Sequence, residues 1–158
     1  MAKKEVTLKS MQWKMFLLGF FKIPLLHFCS PKLLHIDAEK IQLRIKLRRR
    51  TKNHLNSMYF GALAVGADVA GGLQAFYFAE QEGKKISFAF KGMNAQFLKR
   101  AETDVTFESN QGAIVKAALD KSVSTGERVN QSIEVLAKNT SGEVVATFEM
   151  IISLKVIN

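Results

Sequence analysis

Residues 61–79 constrain this chain more than any other segment. They read Gly-Ala-Leu-Ala-Val-Gly-Ala-Asp-Val-Ala-Gly-Gly-Leu-Gln-Ala-Phe-Tyr-Phe-Ala, apolar and small apart from one Asp and one Gln. The run is long enough for a helix of about five turns. It is polar on no face, so it must be buried. Glycines at 61, 66, 71 and 72 each cost a helix about 1 kcal/mol relative to alanine. A helix that carries four of them needs close approach by other backbone, such as a wrapping sheet or a second helix.

What surrounds the run predicts that sheet. Ile41, Leu43, Ile45 and Leu47 alternate with Gln42, Arg44, Lys46 and Arg48, so residues 41–48 form a strand with one buried and one cationic face. Residues 86–99 alternate in one phase at Ile86, Phe88 and Phe90 and in the other at Met93, Ala95 and Phe97. The slip falls at Lys91-Gly92, which marks a β-bulge. Further strands follow at 103–107, 129–135 and 144–154. A hairpin turn lies at Asn139-Thr-Ser-Gly142 and a short helix or turn segment at 111–120. Residues 10–22 read as a helix, 24–35 as a loop-rich connection containing Pro24 and Pro31, and 51–60 as a loop. The expected class is α+β: one long apolar helix wrapped by one curved antiparallel sheet.

At 158 residues, with 47% hydrophobic and 23% charged residues, the chain is one globular domain rather than two or a disordered segment. Cys29 is the only cysteine. That rules out an internal disulfide and fits a reducing, cytoplasmic setting, with Cys29 a buried, inert thiol. His27, His35 and His54 have no metal-ligand spacing and no Cys/His cluster exists, so no metal and no cofactor is expected. The net charge is +9. Arg44, Lys46, Arg48, Arg49, Arg50 and Lys52 concentrate it, either as a solvated strand edge or as an attraction for polyanions. Nucleic acid is not expected, because the basic strand carries aliphatic rather than aromatic partners. The apolar stretch 15–21, flanked by Lys14 and Lys22, is too short to span a bilayer. It reads as a helix packed on the domain or on a partner. Trp13, Phe16, Phe20 and Phe21 beside lysines leave membrane-surface contact as a secondary reading.

Asp68 is the informative side chain. It is the only acidic residue between Glu39 and Glu80. A buried carboxylate is costly unless it is paired, hydrogen-bonded or protonated. It serves either as a structural acceptor or as a working base. Gly61 lies seven positions earlier, two turns away on the same face. The N–H groups of Phe60 and Gly61 fall where the helix starts, as unsatisfied donors at a positive dipole end. They suit a carbonyl oxygen that gains negative charge, while a carboxylate suits activation of water. Asn53 stands upstream with an amide to orient either.

The segment Asn53-His-Leu-Asn-Ser-Met-Tyr-Phe-Gly-Ala-Leu-Ala-Val-Gly-Ala-Asp68 resembles the signature of hot-dog-fold thioesterases of the phenylacetate-degradation type. That family shows Asn, six residues later His-Gly-Gly, and Asp at the seventh position after the last Gly. Asn53, Gly61 and Asp68 fall on the Asn, the last Gly and the Asp. Ser57-Met-Tyr-Phe-Gly-Ala-Leu63 is similar to a branch with Ser/Thr-x-Phe/Tyr-x-Gly-Ser/Ala-Leu. Tyr59 stands in place of the His and Phe60 in place of the first Gly. A backbone N–H still serves from Phe60, but its side chain narrows the pocket. The resemblance covers residues 36–156. It implies a single hot-dog domain over 1–158, with residues 10–30 as a helical extension. It implies catalytic roles for Asp68, Asn53, Phe60 and Gly61. Substrate contacts fall at Asn56, Ser57, Tyr59, Phe97, Lys99 and Arg100, the last two toward phosphates. The implied substrate is an acyl-CoA or acyl-carrier-protein thioester. The implied assembly is a homodimer or dimer of dimers, with the active site between subunits. A non-catalytic acyl-binding hot-dog protein is the alternative.

Overall fold

The structure, a computed structural model, describes residues 2–157. Helix α1 (Leu8–Phe21) starts at Thr7, whose hydroxyl accepts from the Ser10 N–H at 3.2 Å, an N-cap that satisfies one orphan donor. Helix α2 (Pro24–Cys29) opens on Pro24 in the first turn and closes on Ser30 in the left-handed conformation. Strands β1 (Lys32–Ile36) and β2 (Ile41–Ile45) follow, then α3 (Phe60–Gln81), β3 (Lys85–Phe97), β4 (Val105–Ser109), α4 (Gly112–Thr125), β5 (Val129–Lys138) and β6 (Val144–Ile157).

The six strands form one sheet in the order β1-β2-β4-β5-β6-β3, and every neighbouring pair is antiparallel. Alternation sets which face is buried: Ile41, Leu43 and Ile45 of β2 and Val105 and Phe107 of β4 point inward. They share one core with Ala67, Ala70 and Ala75 of α3, which are also buried. The long helix packs against β2, β4, β5, β6 and β3, which is the expected α+β arrangement. The β3–β6 register slips between Phe90 and Gly92, where the phase change predicts a bulge. Asn139–Gly142 closes the β5–β6 hairpin, with Gly142 at φ 81.

Three expectations need correction. Residues 24–35 are not a loop but contain α2 and β1. A register irregularity at Leu34 breaks the alternation of β1, which hides it from a period-two reading. The basic strand is not the sheet edge, because β1 pairs outside it; β2 ends at Ile45, and Arg48–Lys52 lie in a turn region. Finally, the α3 glycines admit aromatic rings rather than another backbone. The Phe107 ring lies on Gly66, and Phe90 and Phe88 lie 3.3 and 3.1 Å from where Cβ atoms on Gly71 and Gly72 would stand.

α3 alone among the described residues is long and apolar enough to cross a membrane, but 78% of its apolar window is buried inside the fold. It is the core helix of the domain.

Candidate active site

Helix α3 begins without a side-chain cap. Tyr59 occupies the N-cap position in an extended conformation (φ −60, ψ 136). Its carbonyl accepts from the N–H groups of Ala62 and Leu63 at 2.9 and 3.1 Å. Among the described residues no acceptor meets the N–H of Phe60 or Gly61. Two donors are thus left free at the positive end of a 22-residue helix, the arrangement that favours an oxygen gaining negative charge.

The loop before the helix is ordered around Asn53. Its Oδ1 accepts from Leu55 N, Ser57 N and Ser57 Oγ at 2.9, 3.2 and 3.2 Å. Lys52 and Met58 form a β-bridge across the loop, and Tyr59 N donates to Thr51 O at 2.8 Å. Asn56 sits at φ 59, a left-handed position that asparagine tolerates. Asn53 therefore holds the loop through its oxygen and has only its amide N–H groups left to offer. Ser57 is buried beneath it, whereas Asn56 is exposed.

Aromatic rings gather at the helix start. Tyr59 and Phe60 lie 4.8 Å apart between centroids, and Phe60 meets Phe97 at 6.2 Å. Phe97 in turn stands edge-on to the core Phe148 at 6.1 Å. The Tyr59 ring folds back over Gly61. Both rings remain open to solvent, Tyr59 at 48% and Phe60 at 59%. The chain beyond β3 is tied to the same loop, since Met58 N donates to Ala101 O at 2.7 Å. That brings the segment bearing Lys99 and Arg100 close by. Lys99 is paired with Glu143 at 2.9 Å; Arg100 is exposed.

Asp68 lies elsewhere. Seven residues at about 1.5 Å each put it about 10 Å down the helix axis from Gly61. It faces a cavity of about 310 Å³ between α1–α2, α3 and β3. Met15, Leu18, Ile23, Leu26, Phe76 and Phe88 contribute to the lining, and Asp68 is its only polar side chain. Burial pushes the Asp68 carboxyl above its ordinary value, and among the described residues no hydrogen bond offsets the desolvation. Such a group binds a proton more readily than a solvated carboxylate, as a general base must.

The chain thus brings Tyr59, Phe60, Gly61 and Phe97 together, with Asn53, Asn56 and Ser57 in the adjoining loop and Lys99 and Arg100 on the segment tied to that loop. Asp68 stands two turns away from them. Sequence reasoning missed the walls of the Asp68 cavity that come from α1 and α2. The available signal was that residues 15–26 are apolar on more than one face, so the outward side also had something to line.

Solved structures share this architecture along nearly its whole length. A Pseudomonas aeruginosa protein of unknown function, described as a "Probable Thioesterase", superposes with a TM-score of 0.78 at 21% identity, covering 98% of this chain and 99% of that one. A protein of unknown function from Chlorobaculum tepidum gives 0.82 at 13% identity, covering 96% and 98%. A thioesterase from Haemophilus influenzae gives 0.69 at 13% identity, covering 99% and 96%. These likenesses establish the hot-dog fold, with an extra N-terminal helix. No curated protein matches the sequence. A family model matches residues 12–156, and on that match the chain belongs to the family described as a domain of unknown function, DUF4442.

Proposed function

We propose that the chain is a thioester hydrolase acting on acyl-CoA or acyl-carrier-protein thioesters, close in chemistry to the phenylacetate-degradation type. The observation that carries this reading is Asp68: the one ionisable group in an apolar cavity, proton-hungry through desolvation, on the same helix as two free N–H donors. The thioesterase described from Haemophilus influenzae, on the same fold, supports it.

In the proposed reaction Asp68 takes a proton from water as the water oxygen bonds to the thioester carbon. The N–H groups of Phe60 and Gly61 hold the resulting oxyanion. Collapse breaks the C–S bond, and the thiolate leaves and takes up the proton. The separation of Asp68 from Gly61 along one helix supports a site in which the two halves come from two subunits. β3 supports that assembly: its thirteen residues lie at the sheet edge, with Met93 and Phe97 exposed. A homodimer, or a dimer of such dimers, pairs that edge. Neither a metal nor a cofactor takes part, and a cytoplasmic setting supplies such thioesters.

The position of Tyr59 favours one second reading, an acyl-binding protein without turnover, because its ring covers Gly61. A panel of acyl-CoAs assayed for thiol release with wild type and Asp68→Ala separates the two. Hydrolysis lost in the variant is the expected result. Equal turnover by both proteins removes Asp68 from the mechanism, and tight binding without thiol release establishes the second reading.

A further inference from the structure

The α1–α2 hairpin has two apolar sides. Its inner side buries Met11, Met15, Leu26 and Cys29. On its outer side Trp13, Phe16 and Phe20 stack in a row, with centroids 5.6 and 6.0 Å apart, and Phe21 stands edge-on to Phe20 at 4.9 Å. Trp13 is 59% exposed, Phe20 55% and Phe21 69%, and Leu25 and Phe28 of α2 extend the patch. Scattered surface apolar residues need no explanation, but a contiguous aromatic patch of this kind marks a docking face.

A cationic cleft opens beside it. A cavity of about 310 Å³ between the hairpin and β1–β2 is lined by Lys32, Arg44, Lys46 and Arg48 together with Phe16 and His27, which also belong to the aromatic row. No carboxylate is among its lining residues. Arg44 Nε is buried and meets no acceptor among the described residues. Paired with no carboxylate among the described residues, the Arg44 guanidinium adds an uncompensated positive charge to the wall of the cleft. Glu80 of α3, which reaches this hairpin, is already held by Lys4 and Lys14. Arg48, Arg49 and Arg50 are exposed, and none of them pairs with a carboxylate among the described residues. The Arg50 guanidinium lies 5.3 Å over the Phe28 ring, which joins the basic turn to the apolar face.

We propose that this hairpin docks the protein on an anionic phospholipid bilayer. Trp13, Phe16, Phe20, Phe21 and Leu25 enter the boundary between headgroups and acyl chains. Lipid phosphates sit against Lys32, Arg44, Lys46 and Arg48. Aromatic insertion next to clustered lysine and arginine is the pattern of an interfacial helix. Nucleic acid offers the cations a partner but leaves the outward, 59% exposed Leu25 beside the aromatic row unmatched. The inner side of the same hairpin supplies Leu18, Ile23 and Leu26 to the Asp68 cavity, so docking sets one wall of that cavity at the lipid layer. The proposal stands independently of hydrolysis.

Trp13 is the only tryptophan, so the full chain reports its own docking. The test titrates it with vesicles of phosphatidylcholine containing about 30% phosphatidylserine, with pure phosphatidylcholine, and with a single-stranded oligonucleotide, following Trp13 emission and co-sedimentation. Docking gives a blue shift and pelleting with the anionic vesicles alone, weakened by salt. Phe20→Ser with Phe21→Ser, and separately Arg48→Glu with Arg49→Glu, each lower the apparent affinity at least about tenfold with the far-UV circular dichroism unchanged. The proposal is overturned by failure of the wild type to pellet, by equal binding to neutral vesicles, or by variants that bind as well as wild type. Binding to the oligonucleotide in place of vesicles overturns it too. So does self-association that depends on Phe20 and Phe21 without any vesicle binding, which assigns the face to a second copy of the chain.

Discussion

The Tyr59 ring lies across Gly61: a Cβ on that glycine would stand 2.5 Å from Tyr59 Cε1 and 2.9 Å from Cδ1. Nothing but a glycine lets the ring rest there. In Gly61→Ala the ring swings outward, which is cheap for a half-exposed side chain, and stability changes by less than about 1 kcal/mol. The methyl then crowds the N–H groups of Phe60 and Gly61. We expect kcat/KM for acyl-CoA to fall about 10²-fold. Tyr59→Ala, which uncovers the same donors, raises it. Thiol-release kinetics alongside thermal melts check both variants, and an unchanged kcat/KM in Gly61→Ala takes the helix start out of the mechanism.

Asp68 sets activity against stability. Its folded pKa is raised by desolvation. Between its unfolded and folded pKa values the folded chain holds more protons than the unfolded one, so stability falls as pH rises through the folded pKa. Asp68→Asn removes the ionisation and is therefore more stable than wild type at neutral pH, with the gap closing in acid. It also loses about 10² to 10⁴ of the hydrolytic rate, the share that general-base catalysis supplies. Wild-type activity rises with pH through a pKa above that of an ordinary carboxylate. Urea unfolding at several pH values and a pH–rate profile measure these effects; a destabilised Asp68→Asn variant at neutral pH contradicts the account.

Gly66 receives the Phe107 ring inside the core. Both residues are buried, so a methyl on Gly66 has no room to displace the ring. Gly66→Ala should cost about 1–3 kcal/mol despite the better helix propensity of alanine. Adding Phe107→Leu should recover part of that loss, giving a non-zero coupling energy in a double-mutant cycle. Denaturant midpoints of the four proteins decide it, and strictly additive losses would mean the contact is not the cause.

Asp37 shapes the turn between β1 and β2. Its Oδ1 accepts from the N–H groups of Glu39 and Lys40, each at 2.8 Å, and His35 meets Oδ2 at 2.6 Å. The Lys40 N–H bond is the largest cause of a carboxyl lowered from 3.8 to about 2. A lowered folded pKa contributes stability above the unfolded value that is lost as pH falls through the folded one. Asp37→Ala should therefore be less stable than wild type at pH 7, with the difference shrinking as the pH falls from 3.8 to about 2. The side chain is half-exposed, so solvent screening keeps the effect modest. Chemical denaturation across that range follows it.

Local pattern was enough for much of this protein. The period-two runs mark β2, β5 and β6, the phase slip marks the bulge between Phe90 and Gly92, and Asn139–Gly142 marks the hairpin, because each is a property of neighbouring residues in the chain. The long apolar helix and its single carboxylate were equally legible, since burial of such a run is forced by its composition. The sequence also placed a helix start at Phe60-Gly61, two turns from Asp68.

Only tertiary structure decided the rest. β1 is short and irregular at Leu34, and its pairing outside β2 depends on residues far from it in the chain. The Phe107 ring on Gly66 and the Tyr59 ring on Gly61 reflect side-chain placement, which no spacing encodes. The cavity of Asp68 closes only when Leu18, Ile23 and Leu26 arrive from the N-terminal hairpin. Periodicity records which side of an element turns away from water; what that side then touches is settled by packing between distant segments, and there the surroundings of Asp68 were determined.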